Sequence, residues 1–144
     1  MRRLLTMLGL GLTAAGAIAG SSMGALPPTR SSIAAYTTGQ AEAGAQLYAQ
    51  RCAMCHGQRL EGTYETPELT GKFIANWGNR PISDLFDYLG RAMPQYAPGT
   101  LTPEEDARIV AFLLSANGLP AGAAALPADS TALKGMRMGP VSPK

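Results

Sequence analysis

An all-α fold is predicted, with three main helices joined by long loops. Three observations carry that expectation. Three segments place apolar residues at helical spacing and bear start or stop signals. No segment alternates apolar and polar residues with a period of two, so no sheet is expected. The 17 glycines and 11 prolines in 144 residues are more than average and point to a loop-rich fold. The length suits a single domain.

The chain opens on Met1-Arg2-Arg3, followed by an apolar run from Leu4 and small residues around Ala17-Ile18-Ala19. A charged start, an apolar middle and an A-x-A site are the parts of a secretory signal peptide, assigned to residues 1–25 with cleavage after Ala19 or Ala25. The alternative is an uncleaved anchor over residues 4–19. The strongly apolar run is about a dozen residues, whereas a spanning helix needs about 20. Residues 26–39 are small and polar and are expected to form a flexible linker.

The first helix is expected over Gln40–Cys52, with Leu47 and Tyr48 on one face. Residues 57–81 are broken by Gly57, Gly62, Pro67, Gly71, Gly78 and Pro81, so they form a loop with one short helix near Lys72–Asn76. The second helix is placed from Ser83, as its cap, to Arg91, with Leu85, Phe86 and Leu89 turned inward and Gly90 and Pro94 as stops. The third has the strongest signals. Thr102 caps it, Pro103 takes its first position, and Glu105 completes a capping box. Ile109, Val110, Phe112, Leu113 and Leu114 give its apolar face, and Asn117-Gly118 with Pro120 ends it. Residues 40–122 thus form the domain, and 123–144 a low-complexity tail.

Charge and composition narrow the function. A net charge of +2 is too small for a nucleic-acid footprint, so no nucleic-acid partner is expected. Two cysteines and one histidine are too few for a tetrahedral structural zinc site. All three fall in Cys52-Ala53-Met54-Cys55-His56, which is C-x-x-C-H. Two thiols three residues apart on a helical turn can each add to one vinyl group of a haem, and the adjacent imidazole then meets the iron. The competing readings are a redox dithiol, which needs a preceding strand, and a structural disulfide, which an exported protein permits.

Several elements in order make residues from about Gln40 to Gly122 resemble a class I cytochrome c. Gly44 and Tyr48 resemble the glycine and aromatic of that family's first helix, and Phe112-Leu113 the aromatic–aliphatic pair of its last. Pro67-Glu68-Leu69 resembles the P-x-L after the haem motif, and Met93-Pro94 the distal methionine. The resemblance implies one covalent haem c on Cys52 and Cys55, with His56 and Met93 as axial ligands. It also implies that the Pro67 carbonyl accepts a hydrogen bond from the His56 ring. Sorting the other methionines leaves Met136 and Met138 as the competing sulfurs, both in a Gly/Pro-rich tail. Trp77 is a candidate donor to a haem propionate or a partly buried packing residue; Arg51, Arg59 and Arg80 are weaker propionate candidates.

The function expected from this resemblance is a periplasmic mono-haem electron carrier, not an enzyme. Its partners would be redox proteins: a periplasmic dehydrogenase as donor and a terminal oxidase beyond it. Residues Phe112 to Gly122 are similar to cytochromes that accompany quinoprotein dehydrogenases. A membrane enters only if the leader is uncleaved. The alternative is a haem protein with an open distal site, gas-binding or peroxidase-like, which requires Met93 not to bind iron.

Overall fold

The structure is a computed structural model that describes residues 32–139. Its elements are β1 (Ser32–Ile33), α1 (Thr38–Arg51), α2 (Ala53–His56), α3 (Lys72–Trp77), α4 (Ile82–Ala92), α5 (Pro103–Ala116), α6 (Ser130–Leu133) and β2 (Met136–Arg137). Among the described residues the fold is all-α apart from one two-residue strand pair. The expected leader, with its candidate cleavage points after Ala19 and Ala25, lies outside the described residues. No described helix is long and apolar enough to cross a membrane.

α5 is the frame. The Glu105 amide donates to Thr102 Oγ1 at 3.2 Å, and the Thr102 amide donates to Glu105 Oε2 at 2.8 Å, so the capping box closes in both directions. At the other end Gly118 takes a φ of +82°. Its amide reaches Ser115 O, and that of Leu119 reaches Leu114 O, the Schellman arrangement that glycine allows. Ile109, Val110, Leu113 and Leu114 are buried between these ends.

α1 lies across α5, and Gly44 is where they meet. A Cβ on Gly44 would overlap the Arg108 carbonyl and crowd Phe112 Cβ. Four residues on, the Tyr48 and Phe112 rings close the crossing with centroids 5.2 Å apart. The helix begins at Thr38, two residues before the expected start, because Thr37 caps it by accepting from the Gln40 amide.

α4 corrects the expectation for its cap. The helix starts at Ile82 with Pro81 as N-cap, and Ser83 is buried inside the first turn. A serine's capping preference yields here to burial of its face. The helix also runs through Gly90 to Ala92 and stops at Met93, whose extended φ and ψ are those favoured before a proline.

The flanks depart most from expectation. Residues 32–37 and 118–139 are packed, not a linker and a loose tail. Tyr36 is 2% exposed and Leu133 fully buried, with Leu126 and Met138 also in the core. β1 and β2 form a two-residue parallel pair, Ser32 opposite Met136 and Ile33 opposite Arg137, where no sheet was expected. Single apolar residues far apart in irregular chain leave no period to detect, yet each fills a core position.

Asp106 is 4% exposed on α5, and among the described residues its Oδ1 has no hydrogen-bond partner. Its Oδ2 faces Gly90 of α4, where a Cβ would come within 2.7 Å. Burial pushes the carboxyl up from 3.8 to about 6, and the neighbouring Glu105 charge adds to it. The folded state therefore holds a proton that the unfolded chain releases across this window, and stability falls as pH rises through it. Asp106→Asn is expected to stabilise the fold by about 1–3 kcal/mol above pH 6. Below about pH 4 it should change little, since both states of the wild type are then protonated. Urea unfolding midpoints at the two pH values check this; a gain of equal size at both would place the cause elsewhere than ionisation.

Candidate functional site

α1 leads straight into the cysteine motif. The Cys52 amide closes onto Tyr48 O, and the next turn is already formed by His56 N to Cys52 O at 3.0 Å and Gly57 N to Ala53 O at 3.0 Å. The motif is thus one helical turn with both thiols free, Cys52 buried and Cys55 exposed. Burial pushes the Cys52 thiol up to about 11, against the pull of Arg51.

The loop after the motif folds back on it. Gly57 turns the chain at a φ of +79°, and its carbonyl accepts from Tyr48 Oη at 2.6 Å. Gly62 (φ +67°) donates to His56 O at 2.8 Å, and Thr63 with Thr66 closes a tight turn. Glu61 accepts from the Arg59 amide and its own, which lowers its carboxyl. The loop is tied to α5 where Asn117 Nδ2 donates to Leu69 O at 2.9 Å. These bonds set the Pro67 carbonyl 3.0 Å from His56 Nδ1. A carbonyl only accepts, so Nδ1 carries the proton and Nε2 is left with its lone pair.

Met93 stands opposite, at the end of α4, with its amide on Leu89 O at 2.9 Å. The loop beyond it is braced at Ala97 N to Pro94 O and at Thr100 Oγ1 to Ala97 O. Arg51 Nη2 donates to the same Thr100 hydroxyl at 2.8 Å, so one guanidinium joins the end of α1 to the Met93 loop.

Between them lies a cavity of about 540 Å³. Cys52, Cys55, His56, Pro67, Trp77 and Met93 all line it. Met136 and Met138, the competing sulfurs, lie in and beside β2 and are not among its walls. Arg51 is at the cavity, whereas Arg59, Arg80 and Tyr64 are not. Trp77 sits half-buried, 5.5 Å from the Tyr88 ring, with the Arg80 guanidinium 5.1 Å over its face. The apolar walls come from Leu85 and Leu89 of α4, Ile109 and Leu113 of α5, and Phe73 of α3. None of these was singled out as a site residue, although 85/89 and 109/113 are spaced i, i+4, the signal of one helix face. On one side the cavity is open, where Met54 is 76% exposed beside Cys55.

The donor set and the cavity fit a haem. The volume lies in the ordinary range of cofactor clefts, roughly 300–1,000 Å³. Two thiols and an imidazole with its lone pair unspent share its walls with a thioether sulfur.

Residues 39–113 match the family described as cytochrome c oxidase, cbb3-type, subunit III. Over 79 residues the chain is 33% identical to a thiosulfate dehydrogenase of Stutzerimonas stutzeri, covering 50% of this chain and 26% of that protein. A match to the crystal structure of the sulfane dehydrogenase SoxCD from Paracoccus pantotrophus has a TM-score of 0.48 and 29% identity. It covers 72% of this chain and 61% of that one. The chain therefore spans about a quarter of the curated relative and less than two thirds of the solved chain. The family match runs through the α1–α5 crossing, the cysteine turn and Met93, over more than half of the residues. The chain belongs to this family of c-type cytochromes, and its cofactor is covalently bound haem c.

Proposed function

We propose that this protein is a periplasmic carrier of single electrons, taking them from a dehydrogenase and passing them towards a terminal oxidase. In this reading Cys52 and Cys55 would hold the haem through thioethers, and His56 Nε2 and Met93 Sδ would be the donors to its iron. The observation that carries it is a cavity walled by both thiols, the imidazole and the Met93 thioether, with His56 Nδ1 bonded to Pro67 O at 3.0 Å. When bound, haem supplies a one-electron ferrous–ferric couple.

The residues have separate tasks. The Pro67 carbonyl fixes the tautomer and orientation of His56 and makes Nε2 more basic. Leu85, Leu89, Ile109 and Leu113 keep water from the cavity interior. With Met93 as the second axial ligand, no position remains for a small-molecule substrate, which favours a carrier over an enzyme. The dehydrogenase donor is supported by the resemblance to thiosulfate dehydrogenase, and the oxidase acceptor by the description of the family. The leader read in residues 1–25 supports the periplasmic location.

Mass spectrometry on denatured protein, expressed with haem-attachment machinery, tests the site. Wild type is expected to carry the mass of one haem beyond its polypeptide. Cys52→Ala and Cys55→Ala each lose one thioether, and holoprotein yield should fall sharply. A bare polypeptide mass for wild type would overturn the assignment.

A further inference from the structure

We infer that the two flanks, residues 32–37 and 118–139, form a strap that positions Met93 by holding α4 from the side away from the haem cavity. The inference rests on Met93 as an iron ligand. The flanks fall outside the residues that the family model matches.

α4 carries Met93 at its end; besides meeting α5, where Asp106 faces Gly90, it has two further occupied sides. Leu85, Tyr88 and Leu89 line the cavity. α6 and β2 also pack on α4. α6 is a single turn pinned by Asp129, whose Oδ1 accepts from the Ala132 amide at 2.7 Å. It buries Leu133 completely, and Ser130 Oγ donates to Asp87 Oδ2 on α4 at 2.9 Å. Two residues past α6, β2 reaches the start of α4. Arg137 pairs with Pro81 through the backbone, and its Nη1 donates to Asn79 O at 3.0 Å.

The strap is itself anchored to the frame. The Ala34 amide donates to Arg137 O at 2.8 Å, joining the two flanks. The Tyr36 hydroxyl bonds Leu119 O, and Gly122 N bonds Tyr36 O, both just past the end of α5. The Gln40 side chain on α1 brackets the Leu126 backbone, donating to its carbonyl at 2.9 Å and accepting from its amide at 2.8 Å. α4 is thus pressed between a cavity wall and a strap fastened to α1 and α5. Removing packing from the strap lets α4 retreat, and the first thing to move away from the iron is the residue at its end.

Packing alone would alter stability, so the test reads the iron–sulfur bond. Ferric holoprotein is titrated with alkali while the weak red-edge absorption of the iron–sulfur bond is followed, and circular dichroism verifies folding at each pH. Leu133→Ala is expected to lower the pH of sulfur displacement by about one unit, a tenfold loss of ligation. Ser130→Ala, which removes only an exposed hydrogen bond and threatens no core packing, should shift it the same way by about twofold to threefold. Leu133→Ile should restore the wild-type titration. Lower denaturation midpoints with an unchanged alkaline titration would overturn the strap while leaving Met93 as ligand. Absence of the iron–sulfur absorption in wild type would overturn the ligand assignment, and the strap inference with it.

Discussion

Met93→Ala is expected to lower the reduction potential, abolish the red-edge absorption and let ferrous protein bind carbon monoxide. Thioether sulfur is a soft ligand that stabilises ferrous iron, and His/Met ligation accordingly raises the potential of cytochromes c. Losing it should shift the ferrous–ferric balance by one to three decades, about 60–180 mV at 59 mV per decade for a one-electron couple. The structure narrows the alternatives for this role. Met93 is fixed at the C-cap of α4 by its amide bond to Leu89 and lines the cavity. Met54 also lines the cavity, but it is on the motif turn itself and mostly exposed. Met136→Ala and Met138→Ala should leave all three properties as they are, because those sulfurs are outside the cavity wall. Redox titration and carbon monoxide difference spectra make the comparison. Ready binding of carbon monoxide by wild type at neutral pH would mean an open distal position. The carrier reading would then give way to the gas-binding or peroxidase-like one.

What could be read from the sequence was what short-range chemistry decides. The Thr102–Glu105 capping box depends on four consecutive residues and forms as those residues require. C-x-x-C-H forms one helical turn here, and its position at the end of α1 follows from the helix before it. Ser83 shows the limit. Its capping preference is local, but Pro81 becomes the N-cap and the serine is turned into the protein. Asp106 shows it again: an acid in the first turn of a helix suits the dipole, and nothing nearby in sequence reveals that α4 lies over it at Gly90. The flanks were illegible for the same reason. Tyr36, Leu126 and Leu133 are isolated apolar residues among small ones, and distant contacts give them their places: Tyr36 with Leu119, Gln40 with Leu126, and α6 with α4.

Gly44→Ala is expected to destabilise the folded protein, although local propensity favours the opposite sign. Alanine in the middle of an exposed helix is worth about 1 kcal/mol over glycine. Gly44, however, is buried where α1 crosses α5, and the atoms that a Cβ would overlap are the backbone carbonyl carbon and oxygen of Arg108. A flexible side chain would swing aside; a carbonyl inside the 14-residue α5 does not, so the two helices must separate. Separation loosens the Tyr48–Phe112 ring contact and thins the packing of Ala41 and Val110. We expect a net loss of about 1–2 kcal/mol, an overpacking cost at the upper end of its range minus the propensity gain, and a larger loss for Gly44→Val. Because the same helix continues through Tyr48, whose hydroxyl holds Gly57, into Cys52 and His56, the damage should reach the haem turn as well. Guanidinium unfolding of the holoprotein measures the first effect, and the yield of attached haem the second. A Gly44→Ala protein as stable as wild type would show that the helices do not approach as closely here as the structure places them.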